Sequence, residues 1–203
     1  SDLRTGAMAG GSAEQALLTA ACAQMARYYD LPGGSPAGMA DAKLPDTQSG
    51  YEKGISNVIA GLSGLNLVYE AAGMHASLLG FCLESLLIDN DMLGQCLRCV
   101  RGIDVSDAAL SVADIAAVCT EGPGHYLGRQ QAPAEYVHPQ LADHLSPKEW
   151  ADRGRPDILS RAVAEKRRIL AARFPRHLPR SVDDRLRARF GEMIRLPRSA
   201  MGG

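Results

Sequence analysis

The sequence predicts an α/β fold in which a short parallel strand–helix–strand unit precedes a long helical extension. Three observations carry this. Two short apolar runs, residues 33–38 and 65–69, flank one amphipathic segment, residues 47–62. Each run opens into a loop rich in functional side chains: Met39, Asp41, Lys43 and Asp46 after the first, Glu70 and His75 after the second. From residue 76 onward every long pattern has helical spacing. In parallel α/β folds, and in (β/α)₈ barrels above all, chemistry gathers in the loops at the carboxyl ends of strands. The two loops are therefore where a site is expected.

The elements follow in order. Ser12-Ala-Glu-Gln15 has the form of a capping box, and Leu17, Leu18, Ala21, Met25 and Tyr28 then give a helix one apolar face. Leu31-Pro32 ends it. Residues 33–38 are nearly all small, which suits a strand approached closely by something bulky and equally suits a Gly/Pro loop. Asp46 can cap the next helix, whose apolar face is Ile55, Val58, Ile59 and Leu62, and residues 65–69 read as a strand. Beyond His75 the spacing predicts a helix over 76–87 and a second one capped by Asp89 and stopped at Gly102. A third, capped by Ser106, is predicted over 107–120. A Gly-rich loop covers 121–128, and Ser146-Pro-Lys-Glu149 is another capping box. Basic amphipathic helices are predicted over 156–173 and 181–194, with a flexible tail at 196–203. Two strands do not make a stable isolated sheet, so N-terminal sequence or a second copy of the chain must complete it, and a homo-oligomer is expected.

Bulk properties exclude several classes. With 203 residues, 46% hydrophobic and a net charge of −1, the chain is long enough for one ordinary globular core. Residues 151–203 hold 14 Lys and Arg against 6 Asp and Glu, whereas the first 150 hold 8 against 17. Such a basic end reads as a solvated helical surface or a dock for an acidic neighbour, and no nucleic-acid partner is expected. Five cysteines, an odd number without a dense framework, point to a reducing, cytoplasmic setting. Cys96 and Cys99 have CxxC spacing inside a helical pattern and no second pair at zinc spacing, so they read as two buried helix cysteines with no metal site. No apolar run approaches the ~20 residues of a membrane span, and no signal peptide is apparent. The chain starts with Ser, which fits a cut chain or the back half of something longer. No nucleophile elbow, P-loop, HExxH or dinucleotide fingerprint is present.

Several segments nevertheless match one family in order. Asp41-Ala-Lys-Leu-Pro-Asp-Thr-Gln-Ser-Gly-Tyr-Glu-Lys53, Leu86-Leu-Ile-Asp-Asn-Asp-Met-Leu93 and Gly124-His-Tyr-Leu-Gly128 resemble segments of the trimethylamine methyltransferase family, the corrinoid-dependent amine methyltransferases. Asp2-Leu-Arg-Thr-Gly-Ala7 and Ala26-Arg-Tyr-Tyr-Asp-Leu-Pro32 fit as well, and the resemblance extends from the first residues to about residue 173. Family members are more than twice this length. The resemblance therefore implies the C-terminal part of a TIM (β/α)₈ barrel: its last βα units over residues 1–75, and a mostly α-helical extension over 76–195. It also implies a methyl acceptor, the cobalt of a corrinoid (cobalamin) carried on a separate partner protein, with no cofactor bound directly by this chain.

Trimethylamine members of the family carry pyrrolysine where this chain has Met39. A thioether has no electrophilic carbon with which to capture an amine. A quaternary ammonium needs no such capture, because its nitrogen already has a fourth substituent and departs as a neutral amine. The expected substrate is thus a quaternary, betaine-like amine, tertiary amines being the family's alternative. Onium recognition uses aromatic faces and carboxylates. Met39 and Glu70 are taken as the catalytic positions, with Asp41, Lys43, Tyr51, Tyr69, His75, His125 and Tyr126 as substrate-binding candidates. Lys43 or His75 would meet a betaine carboxylate, and His125 and Tyr126 would close over the site. Each has a plainer role open to it. Asp41 can pair with Lys43, Tyr51 can pack, Tyr69 can point into the wall, and His125 can serve backbone carbonyls. The rival class is a helical interaction module that docks a partner through its basic C-terminal helices.

Overall fold

The computed structural model describes residues 1–122, 124–126, 137–172 and 178–191. The chain opens with α1 (Ala13–Tyr28), which leads through Pro32 to β1 (Gly34–Pro36). Next come α2 (Thr47–Leu62) and β2 (Leu67–Tyr69), which lies parallel to β1 with Gly34, Ser35 and Pro36 opposite Leu67, Val68 and Tyr69. This is the predicted strand–helix–strand unit. Its helix starts where Asp46 Oδ1 accepts the Ser49 N–H at 3.0 Å. The Ser12 hydroxyl likewise accepts the Gln15 N–H, at 3.2 Å, to begin α1. The fold is α/β, built mostly of helices with few strands.

The helices bury a different face from the one their apolar residues mark. On α1 the buried residues are Ala16, Thr19 and Ala23, while Leu17, Leu18, Met25 and Tyr28 are exposed. Small residues let α1 lie close on β1, where the Thr19 and Ser35 hydroxyls meet at 3.0 Å. On α2 the buried residues are Ser49, Glu52, Lys53, Ser56, Asn57 and Ala60, and Ile55 and Leu62 are exposed. A polar stripe with helical spacing thus faces the interior.

After β2 the structure departs from the expected helix over 76–87. A hairpin takes its place, β3 (Met74–His75) antiparallel to β4 (Gly80–Phe81). The Ala76 and Ser77 amides bond the Ala42 and Ala40 carbonyls, both at 3.0 Å. Ala76, Ser77 and Leu78 all have positive φ, a left-handed turn of three non-glycine residues. Such residues cost about 1–2 kcal/mol each and persist only where surrounding contacts impose them.

One long helix, α3 (Leu83–Arg101), replaces the two predicted around Asp89. Asp89 lies in its interior and is buried, so it caps nothing. The helix expected over 107–120 is broken into α4 (Asp107–Leu110) and α5 (Val112–Ala116) by Ser111 at φ +49°, and a π-helical turn (Ala117–Glu121) follows. The second capping box is complete: the Ser146 hydroxyl accepts the Glu149 N–H and the Glu149 carboxylate accepts the Ser146 N–H, opening α6 (Pro147–Asp152). The basic helices are α7 (Ile158–Ala172) and α8 (Arg180–Phe190). The tail at 196–203 lies outside the described residues. Packing runs α1 on α2, α2 on α3, and α3 on α7. Lys166 of α7 pairs with Glu84 of α3, whose carboxyl this bond holds below the usual range. Cys96 is buried, which pushes its thiol up, but Cys99 is exposed, contrary to expectation. Among the described residues no helix is long and apolar enough to cross a membrane.

Candidate active site

The polar stripe of α2 holds the two loops that follow β1 and β2. Glu52 Oε2 accepts the backbone N–H of Asp41 at 2.8 Å and of Ala42 at 3.3 Å, while its other oxygen accepts Gln48 Nε2 at 2.8 Å. The Ser56 hydroxyl accepts the Gly38 N–H at 2.9 Å. Asn57 Nδ2 donates to the Ala71 carbonyl at 3.2 Å. Lys53, wholly buried, donates to Asp89 Oδ2 at 2.7 Å, and that oxygen also accepts the Gly73 N–H at 2.7 Å. Every buried side-chain polar atom among the described residues has a partner.

The loops in turn hold one another. Gly38, at φ +77°, lies so close to Ala71 that a Cβ there would stand 2.3 Å from the Ala71 carbonyl oxygen. Met39 and Glu70 flank that crossing. His75 lies between the loops and α3, with Nδ1 3.3 Å from the Ala42 carbonyl and Nε2 2.5 Å from the Ser85 hydroxyl. Burial, and then the charge of Lys53, hold its imidazole below the ordinary histidine range. The neutral ring therefore donates through Nδ1–H to the carbonyl and accepts the Ser85 proton at Nε2. The N-terminal segment closes the cluster from a third side. The Gly11 N–H bonds Asp41 Oδ1 at 3.2 Å, and the Ser77 hydroxyl accepts the Gly10 N–H at 2.9 Å and contacts Asp41.

The sequence of these segments matches the trimethylamine methyltransferase (MTTB) family over residues 1–192. The chain belongs to the trimethylamine methyltransferase family. It is 35% identical to trimethylamine methyltransferase MttB of Methanosarcina thermophila over 167 residues, 82% of this chain and 34% of that protein. It is 32% identical to glycine betaine methyltransferase of Desulfitobacterium hafniense (strain Y51) over 193 residues, 93% of this chain and 40% of that protein. The chain thus spans between a third and two fifths of the length of these relatives. The family resemblance read from the sequence is therefore correct, and family members are methyltransferases.

The structure places the family candidates in three groups. Met39, Asp41 and His75 come together at the crossing of the loops. Met39 is 1% exposed, its methyl and sulfur against Gly10. His75, expected at a substrate, has both ring nitrogens engaged inside the protein. Tyr69 and Glu70 lie at the end of β2. Tyr69 is 44% exposed, and Glu70 is exposed at φ +64°. The remaining candidates lie elsewhere. Lys43 turns back to bond the Asp41 carbonyl at 2.7 Å rather than the Asp41 carboxylate. Tyr51 is 55% exposed, on the face of α2 turned away from the buried stripe. His125 and Tyr126 are exposed beyond the π-helical turn, and no hydrogen bond among the described residues ties them to the loops.

Sequence reasoning missed Glu52, Lys53, Ser56, Asn57, Ser77, Ser85 and Asp89. Their signal was available in α2: polar residues at 49, 52, 53, 56 and 57 recur as regularly as the apolar ones. An apolar cavity of about 390 Å³ between α2, α3 and the start of α7 includes Val58, Met92 and Cys96 in its wall and none of the predicted site residues. Among the described residues no group of three or more His, Cys, Asp or Glu side chains is arranged to hold a metal ion.

Proposed function

We propose that this chain carries part of the active site of an amine methyltransferase that moves a methyl group from a quaternary, betaine-like ammonium to the cobalt of a corrinoid held by a partner protein. The observation that supports it most is Met39. A buried, unreactive thioether occupies the position at which the resemblance places pyrrolysine in trimethylamine members. The relationship to a glycine betaine methyltransferase at 32% identity supports the same substrate class.

The chemistry balances without covalent capture. The carbon–nitrogen bond of the onium breaks, and its electron pair stays on nitrogen, which leaves as a neutral tertiary amine. Co(I) supplies the electron pair of the new cobalt–carbon bond. The protein's task is to bind the cation, aim one methyl and exclude water. Tyr69 offers an aromatic face and Glu70 a carboxylate to the cation at the end of β2. Met39 supplies a soft apolar wall behind the loops. The resemblance implies a (β/α)₈ barrel completed by sequence outside these residues.

Calorimetry and methyl transfer to cob(I)alamin by the full-length protein test this. Glycine betaine should give saturable heat and form methylcobalamin, and trimethylamine should not. Turnover of trimethylamine with no reaction of any betaine would overturn the proposal. A specific observation also favours docking of a second protein. The basic helix α8 presents Arg185 and Arg189 beside half-exposed Leu186 and Phe190, a surface suited to an acidic protein partner.

A further inference from the structure

We infer that Glu52 is a positioning residue for methyl transfer: its carboxylate sets the backbone of residues 41 and 42, and through them the relative placement of both strand-end loops. This rests on the proposed function for its kinetic readout and on geometry alone for its structural one. Glu52 is buried, and among the described residues its three hydrogen bonds go to Gln48 and to two successive loop amides, with none to a cation. The amides belong to the loop that carries Met39. The segment they fix is also the acceptor for the other loop, since the Ala40 and Ala42 carbonyls receive the Ser77 and Ala76 N–H groups and Ala42 also receives His75 Nδ1. A shift at 41–42 therefore moves His75 and Ser77 together with Met39. Gly11 packs against the same carboxylate, so the N-terminal segment would follow.

Asp91 gives a matched comparison. It too is a buried carboxylate on backbone amides, accepting the N–H groups of Gln140, Leu141 and Ala142 at 3.0, 2.6 and 2.9 Å. It pins a different segment, near α7. A merely structural role for Glu52 would make variants at the two positions behave alike.

The experiment uses the full-length protein with glycine betaine as donor and cob(I)alamin as acceptor. Glu52→Ala should lower kcat by about 10- to 100-fold, the scale expected when reacting groups are misplaced by about an ångström, with the betaine Kd changed by less than about 3-fold. Amide exchange at 41, 42, 76 and 77 should quicken. Glu52→Gln keeps one acceptor oxygen for the two amides and should recover part of both signals, which covers the case in which the alanine variant does not fold. Asp91→Asn should lower the melting temperature but leave kcat within about 2-fold of the parent, because it touches neither loop. Unchanged exchange at 41 and 42 in Glu52→Ala, or equal loss of kcat in the Glu52 and Asp91 variants, overturns the inference. If the parent protein methylates nothing from any ammonium, the proposed function fails, and the exchange at 41 and 42 alone decides the role of Glu52.

Discussion

Lys53→Met tests the buried ion pair on which the second loop depends. Lys53 is 0% and Asp89 4% exposed, and their atoms are 2.7 Å apart. Coulomb's law gives about 6 kcal/mol of gross attraction at 2.7 Å with an effective dielectric of about 20. Taking two charges out of water costs several kcal/mol per ion, so the intact pair contributes little net stability. Removing one partner is a different matter, because Asp89 is then a buried charge whose remaining partner among the described residues is the Gly73 N–H. The expected loss is about 3–5 kcal/mol, toward the lower end because that one hydrogen bond survives. Urea unfolding followed by circular dichroism measures it. Adding Asp89→Asn removes the stranded charge while leaving an oxygen for Gly73, so the double variant should be more stable than Lys53→Met alone. A Lys53→Met protein within about 1 kcal/mol of the parent, or a double variant no better than the single one, would refute the reasoning.

Three further outcomes are expected. Gly38→Ala adds a left-handed penalty of about 1–2 kcal/mol to a direct clash with the Ala71 carbonyl, and its melting temperature should fall well below the parent's. His75 makes stability depend on pH. Its folded pKa lies below the ordinary 6.5, so the protein keeps this contribution above 6.5 and loses it as pH falls toward the folded value, where the unfolded chain alone takes up the proton. Urea midpoints between pH 7 and 5 should decline, and the His75→Gln variant should flatten that slope; the nearby Lys53, Asp89 and Asp46 charges oppose one another at the ring. Glu70→Gly relieves a positive-φ residue and should leave stability unchanged or raised by up to about 1 kcal/mol, while betaine heat in calorimetry disappears.

The strand–helix–strand unit was legible because its signals are local: Asp46 caps α2 through its own side chain, and the runs on either side are short and apolar. The expected helix over 76–87 failed at its start because residues 76–78 turn left-handed and Met74 and His75 pair with Phe81 and Gly80, a hairpin held by carbonyls more than thirty residues earlier, a contact no window of sequence contains. Asp89 looked like a cap because acidic residues usually serve helix ends; its partner Lys53 lies 36 positions away. The buried faces of α1 and α2 were misread for one reason. Apolar periodicity need not mark the buried side: α1 turns small residues toward α2 and β1, where close approach matters more than bulk, and α2 turns inward the polar side chains that the backbone of the two loops needs as partners. The topology rule puts Met39, Asp41, Lys43 and Glu70 at strand ends, but it says nothing about where a side chain turns, and Lys43 turns back on the Asp41 carbonyl; Tyr51 was placed by proximity in sequence, and it lies on the outer face of α2.

The left-handed turn at Ala76, Ser77 and Leu78 makes the hairpin depend on its neighbours. Nothing in those three residues favours that conformation in a free chain, so the hairpin owes its shape to contacts from outside itself. Its conformation is held by the 38–42 segment, which receives the Ala76 and Ser77 amides, and by residues 8 and 10, which the Ser77 hydroxyl engages. Residues 1–11, which carry no regular structure, thereby clasp the hairpin. A chain shortened by that length should still form its helices but leave the hairpin frayed, its amides open to solvent on the timescale of local unfolding.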